Sequence, residues 1–84
     1  MDDVKLGKYK HYKGNMYNVI GIGRHSETLE EFVIYQALYD SKEFGKNQIW
    51  IRPKKMFLKN VIINGKEVPR FEFVKKLPTK VGSV

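Results

Sequence analysis

Residues 32–39, FVIYQALY, leave this chain the fewest choices of fold. The run is rich in β-branched and aromatic residues, which suit a pleated, partly buried surface. Strand alternation puts Phe32, Ile34 and Leu38 on one side, with Gln36 the polar break, and Val33, Tyr35, Ala37 and Tyr39 on the other. A strand apolar on both sides belongs at the centre of a sheet or in a barrel wall. Residues 16–24, MYNVIGIGR, also read as a strand, with Gly21 and Gly23 marking a bend or bulge. Between the two runs lies the polar segment HSETLE, whose Ser26 and Thr28 can hydrogen-bond nearby backbone. The pair reads as a hairpin. A register that sets Arg24 opposite Glu31 also pairs Ile22 with Val33 and Ile20 with Tyr35.

The rest of the chain adds short strands to this hairpin. Residues 7–12 read as a first strand, turned back at Lys13-Gly14-Asn15. Residues 40–47, DSKEFGKN, read as a loop, and residues 48–52 as a fourth strand that Pro53 ends. Residues 54–60 suit one helical or 3₁₀ turn anchored by Met56 and Phe57. Asn64-Gly65 is a strong hairpin signal, because both central positions of a type I′ turn take positive φ. It predicts strands over 61–63 and 67–71, with Val61 opposite Val68. No segment keeps a helical period for three turns. The fold class expected is therefore all-β: a small SH3-like barrel of about five strands with one short helical turn. A five-stranded sheet with one open face is the alternative. One domain is expected over 7–74, with a flexible N-terminus over 1–6 and a disordered basic tail over 75–84.

Eighty-four residues bury only a modest core. With no cysteine, disulfide staples and thiolate metal sites are excluded. The opening MDDVKLGKYK lacks an apolar signal core, and no apolar run approaches membrane-spanning length. A cytoplasmic protein with no membrane partner is the expectation. Sixteen basic residues against nine acidic ones give a net charge of +7. Such a balance suits an anionic partner, although a solvated lysine-rich surface would produce it too. The charge is uneven: Glu27, Glu30 and Glu31 cluster at the central turn, while residues 42–59 carry six basic residues and one acidic.

Four motifs stand in order along the chain: Tyr-x-His-Tyr-Lys-Gly from Tyr9, Arg-His-Ser-Glu-Thr from Arg24, Tyr-x-Ala-Leu-Tyr from Tyr35 and Trp-x-Arg-Pro from Trp50. In these motifs and their spacing the chain resembles the bacterial family called domain of unknown function 1653, over roughly residues 7–73. The resemblance implies a small β-rich domain, with an SH3-like barrel as the expected fold. It implies no activity. The lysine-containing loop at 41–47 and the basic tail depart from the family pattern.

Enzyme signatures are weak. The GIG at 21–23 lacks the third glycine of a dinucleotide fingerprint and opens no helix. His25, Ser26 and Glu27 include the residue types of a hydrolytic triad, but neighbours in a turn point apart and a triad converges in space. They read instead as backbone caps. His11 and His25 could hold a metal only with a third ligand. No catalytic residue, metal site or cofactor is assigned. The richer pattern is aromatic and basic: Tyr9, Tyr12, Tyr35, Tyr39 and Trp50 interleave with Lys8, Lys10, Arg24 and Arg52. Alternation places Trp50 and Arg52 on one face, opposite Ile49 and Ile51. If the isoleucines face the core, an aromatic–cation pair lies on the surface, as at many binding sites.

The function expected is a non-enzymatic binding module for an anionic partner, RNA or DNA, with Tyr12, Arg24, His25, Tyr35, Tyr39, Trp50 and Arg52 as its binding residues. One alternative is an adaptor that takes an acidic or proline-containing protein segment in an aromatic groove. The other is a small-ligand or nucleotide pocket built on Arg24, His25 and Arg52.

Overall fold

The computed structural model describes residues 4–76. Its framework is one antiparallel sheet of five strands in the order β6-β3-β2-β1-β9. These strands are β1 (Gly7–His11), β2 (Met16–Arg24), β3 (Glu31–Ala37), β6 (Ile49–Pro53) and β9 (Phe71–Lys76). Two small ribbons stand apart from it. One pairs β4 (Asp40–Ser41) with β5 (Gly45–Lys46), and the other pairs β7 (Asn60–Ile63) with β8 (Lys66–Pro69). A single helical turn, α1 (Lys54–Phe57), follows β6.

The all-β expectation holds, with one short helix. The sheet is open, however: among the described residues β6 and β9 each pair with one neighbour and not with each other, so no SH3-like barrel closes. The architecture is the five-stranded sheet with one open face. Closure is replaced by aromatic packing on one side of the sheet. Val33, Tyr35 and Ala37 of β3, Tyr17 and Val19 of β2, and Tyr9 of β1 point to this inner side and are buried. Phe57 from α1 and Phe71 from β9 lie over them, their rings stacked at 4.2 Å and only 7° apart. Tyr9 and Tyr35 each meet Phe57 edge-on, at 5.4 and 5.6 Å. Edge-to-face and stacked pairs contribute about 0.5–1.5 kcal/mol each beyond their buried area. The four-residue α1 has no side-chain N-cap hydrogen bond and no acid in its first turn. Its own propensity cannot hold it, since isolated short helices are marginal. Burial of Phe57, 2% exposed, is what anchors it.

The hairpin register follows expectation at its turn end, with Arg24 opposite Glu31 and Ile22 opposite Val33. It departs beyond Gly21. Tyr35 pairs with Val19, not Ile20, because a bulge falls between Val19 and Gly21. The bulge ejects Ile20, 41% exposed, and returns Val19 to the core at 0%. Residues 40–47 form the β4–β5 ribbon and not an irregular loop. The strand expected over 67–71 ends at Pro69, and a separate strand, β9, starts at Phe71 and pairs with β1. Proline lacks the N–H that a continuous ladder needs. β9 carries Lys75 and Lys76 opposite Lys8 and Gly7, so pairing runs two residues past the boundary at 74. The remainder of the expected tail, 77–84, and residues 1–3 lie outside the described residues. Val4, within the expected flexible N-terminus, packs on the core, and the Tyr9 hydroxyl donates to the Lys5 carbonyl at 2.8 Å.

Asn64 and Gly65 take φ of 49° and 79°, and Val61 faces Val68, as the two-residue turn requires. Gly7 matters differently. Its φ is 153°, and a Cβ there would lie 2.4 Å from the backbone carbonyl of Lys75.

Gly7→Ala is therefore expected to destabilise the domain by at least the roughly 1–3 kcal/mol of ordinary overpacking, because strand backbone cannot yield as a side chain can. Gly65→Val, strained at positive φ, is expected to lower the melting temperature as well. Thermal melts of both variants check this, and a midpoint unchanged for either contradicts the geometry at that position.

Candidate functional site

Alternation along β6 holds, and the condition that would turn Trp50 and Arg52 outwards, isoleucines facing the core, is not met. Trp50 and Arg52 do share a face, but it is the inner one. Ile49 and Ile51 are the exposed residues, at 49% and 65%. Tyr35 pairs with Trp50 and Val33 with Arg52, so both β6 side chains follow the buried residues of β3. The reason is chemical. The inner side of an open sheet this narrow has water at its margins, and a margin can hold an indole and a guanidinium whose polar ends reach out. The isoleucines are left on the uncovered side.

The inner face then gathers a set of aromatic and polar groups. Trp50 packs against the core and meets Phe44 of the β4–β5 turn edge-on at 5.1 Å. The Tyr17 and Tyr39 hydroxyls lie 2.7 Å apart in one hydrogen bond. Arg52 Nε donates to the Tyr35 hydroxyl at 3.2 Å, and the guanidinium lies 5.7 Å from the centre of the Phe71 ring. Burial, then the hydrogen bond with Tyr39, pushes ionisation of Tyr17 well above the usual phenol range.

Two further residues belong to this face. His11, on the last position of β1, meets Phe71 edge-on at 4.9 Å and Tyr17 at 6.3 Å. Its Nδ1 accepts from the Lys13 N–H at 3.1 Å. Arg70 stands between β8 and β9, where its carbonyl accepts from the Tyr12 N–H at 2.9 Å. Its Nε is buried with no hydrogen-bond partner among the described residues. Sequence reading weighed His11 only as a metal ligand and passed over Arg70. The alternation of Phe71 and Phe73 after Pro69 was the signal for a new strand, and hence for an arginine at its entry.

The expected residues thus divide. Tyr35, Tyr39, Trp50 and Arg52 come together. Tyr12 lies nearby at the β1–β2 turn, half-open, with its ring 4.6 Å from that of His11. Arg24 and His25 sit apart at the β2–β3 turn. Arg24 donates to the Leu29 carbonyl at 2.9 Å and pairs with Glu31 at 3.3 Å. His25 Nδ1 accepts from the N–H groups of Glu27 and Thr28, so the histidine caps the turn as expected. A shallow apolar cleft of about 210 Å³ runs past His25, Phe32 and Ile51 on the outer face. Arg52 is on the other side of the sheet, so no single pocket holds Arg24, His25 and Arg52. A larger cleft, about 440 Å³, lies between the β2–β3 turn and α1, but its Arg24 and Lys54 are both paired to Glu31.

Electrostatically the inner face is one-sided. Among the described residues both ion pairs fall on Glu31, and neither Arg52 nor Arg70 has a carboxylate within 4.0 Å. Burial first, then the charges of Arg52, Arg70 and Lys13, hold His11 below the usual imidazole range. No group of three His, Cys, Asp or Glu residues that could hold a metal ion occurs among the described residues. No helix among them is long and apolar enough to cross a membrane.

The family model for proteins of unknown function called DUF1653 matches residues 7–73 of this chain. A crystal structure of a DUF1653 protein from Bordetella bronchiseptica is similar at 30% sequence identity and a TM-score of 0.78. That similarity covers 94% of this chain and 97% of the other. No curated protein matches.

The histidine sets a pH dependence. Its folded pKa lies below its unfolded value of about 6.5, so the unfolded chain takes up the proton first as pH falls. The stability linked to neutral His11 is whole above that value and is lost as pH falls through the folded pKa. The melting temperature is expected to drop between pH 7 and pH 5, and His11→Gln is expected to flatten that slope. An equal slope in wild type and variant contradicts the placement of His11 beside the two arginines.

Proposed function

This chain belongs to the DUF1653 family, and we propose that it is a non-enzymatic binding module whose inner sheet face takes an anionic partner, a single strand of RNA or DNA. The observation that supports this most is that neither Arg52 nor Arg70 has a carboxylate within 4.0 Å among the described residues, although Glu31 is shared by two cations elsewhere. Cations held near one another without an acid are costly in the free protein and are relieved by a bound anion. The second support is the neighbouring ring surface. Phe44, 51% exposed, and half-buried Trp50 form an edge-to-face pair at the margin of the site. A base can stack on such rings, and each stack contributes about 1–3 kcal/mol.

In this reading the guanidiniums take phosphate oxygens and the rings take bases. Arg52 is held by Tyr35, which fixes the direction of its remaining N–H groups before the partner arrives. Pre-set donors lose less freedom on binding than mobile surface lysines do. The rest of the positive charge steers approach and carries no sequence information. Nothing here calls for a nucleophile, a cofactor or a metal.

The test is fluorescence anisotropy with labelled single-stranded RNA and DNA at several salt concentrations. Affinity is expected to fall steeply with salt, by roughly 0.7 in log–log slope for each phosphate contact. Phe44→Ala and Trp50→Ala are expected to weaken binding, by about 1–3 kcal/mol where the ring stacks on a base. Arg52→Gln is expected to weaken it and to lower the salt slope. Melts of each variant separate lost contacts from lost folding, since Trp50 also packs on the core. Folded variants that bind as wild type does would remove this reading and favour a peptide-binding adaptor.

A further inference from the structure

Three side chains at or next to Phe71 keep hydrogen-bond donors without a partner among the described residues. Arg70 Nε is buried and unpartnered. An unsatisfied buried donor ordinarily costs about 1–3 kcal/mol, and more when charged. Its backbone is tied to the β1–β2 turn, where the Arg70 carbonyl accepts from the Tyr12 N–H. Arg52 gives only its Nε to Tyr35, and its two terminal amino groups make no hydrogen bond among the described residues. His11 accepts at Nδ1 from Lys13, so a neutral ring carries its proton on Nε2, a donor likewise without a partner there. His11 and Arg52 both contact the one ring of Phe71, and Arg70 is its chain neighbour. Lys13 lies on the adjoining turn.

We propose that His11, Arg52 and Arg70 form a subsite for a phosphate monoester. This rests on the reading of the inner face as an anion site and narrows it. A groove that tracks a strand needs cations spread along the backbone. Here a guanidinium and a histidine share one ring, and a second arginine precedes that ring in the chain. A monoester offers three terminal oxygens and close to two negative charges to a single point, as phosphoryl groups on proteins do. An internal diester offers two free oxygens and one charge. Guanidinium N–H groups suit phosphate oxygens in shape as well as charge. The same chemistry is carried by the 5′-phosphate of a strand and by a free nucleoside monophosphate.

The experiment compares three probes on the full chain by anisotropy and competition: a 5′-phosphorylated oligonucleotide, the same oligonucleotide with a 5′-hydroxyl, and a nucleoside monophosphate. The phosphorylated strand is expected to bind at least tenfold more tightly than the hydroxyl form. Arg70→Gln and His11→Gln are each expected to shrink that ratio towards one, weakening the phosphorylated strand by a larger factor than the hydroxyl form. NMR titration of the His11 ring in the folded chain is expected to show its pKa rising when inorganic phosphate is added, a readout that does not depend on strand binding. Equal affinity of the two strands, with an unmoved His11, would overturn the subsite while leaving strand binding in place. A monophosphate that binds as tightly as the phosphorylated strand would support the subsite and assign it to a free nucleotide, against the strand reading. Absence of binding by all three probes would end both.

Discussion

The stack of Phe57 on Phe71 carries the architecture. The two rings come from opposite margins of the sheet. Phe57 follows β6 through α1, and Phe71 opens β9, so their contact ties together two edges that no backbone ladder joins. Beneath them lie Tyr9 and Tyr35, and beside them Tyr17. Domains of this kind have a total stability of about 5–15 kcal/mol, and loss of one buried phenyl ring costs about 3–5 kcal/mol. The stack is therefore a large share of what keeps the sheet from opening.

That same stack places the chemistry. Phe71 is packed from below by Tyr35 and edge-on by His11, and Arg52 lies over it. The core and the candidate site are continuous, sharing rings. This explains why the site is built from half-buried residues at the margin of the core. Tyr35 is buried at 4%, yet its hydroxyl still accepts from Arg52. Polar ends at the margin of an aromatic core need partners, and the chain supplies some of them: Tyr17 with Tyr39, Tyr35 with Arg52, Tyr9 with Lys5. Arg70 Nε is left over.

Much of this was legible in the sequence. Strand β2 falls where its pattern put it, the β2–β3 turn pairs Arg24 with Glu31, and Asn64-Gly65 turns the last ribbon, because local chemistry decides such features. What failed was non-local. Alternation separates Trp50 and Arg52 from Ile49 and Ile51 but does not say which pair faces inwards. Apolarity favoured the isoleucines, yet an inner side already filled by five aromatic rings and closed only at its margins takes the indole and guanidinium. Closure into a barrel is a property of the ends of the sheet, and nothing within any one strand encodes whether β6 and β9 meet. The pairing of β9 with β1 joins residues 60 to 69 positions apart, so no local pattern sets Phe71 against His11.

In the proposed function the inner face, and not the lysines or the isoleucines of the outer one, receives the partner. Backbone amide chemical-shift mapping on the ¹⁵N-labelled chain during titration with a single-stranded oligonucleotide tests that directly. The account predicts that the largest shifts fall on His11 to Lys13, Tyr35, Trp50, Arg52, Arg70 and Phe71. Shifts confined to Lys8, Lys10, Ile34, Ile49 and Ile51, or none at saturating oligonucleotide, would contradict it.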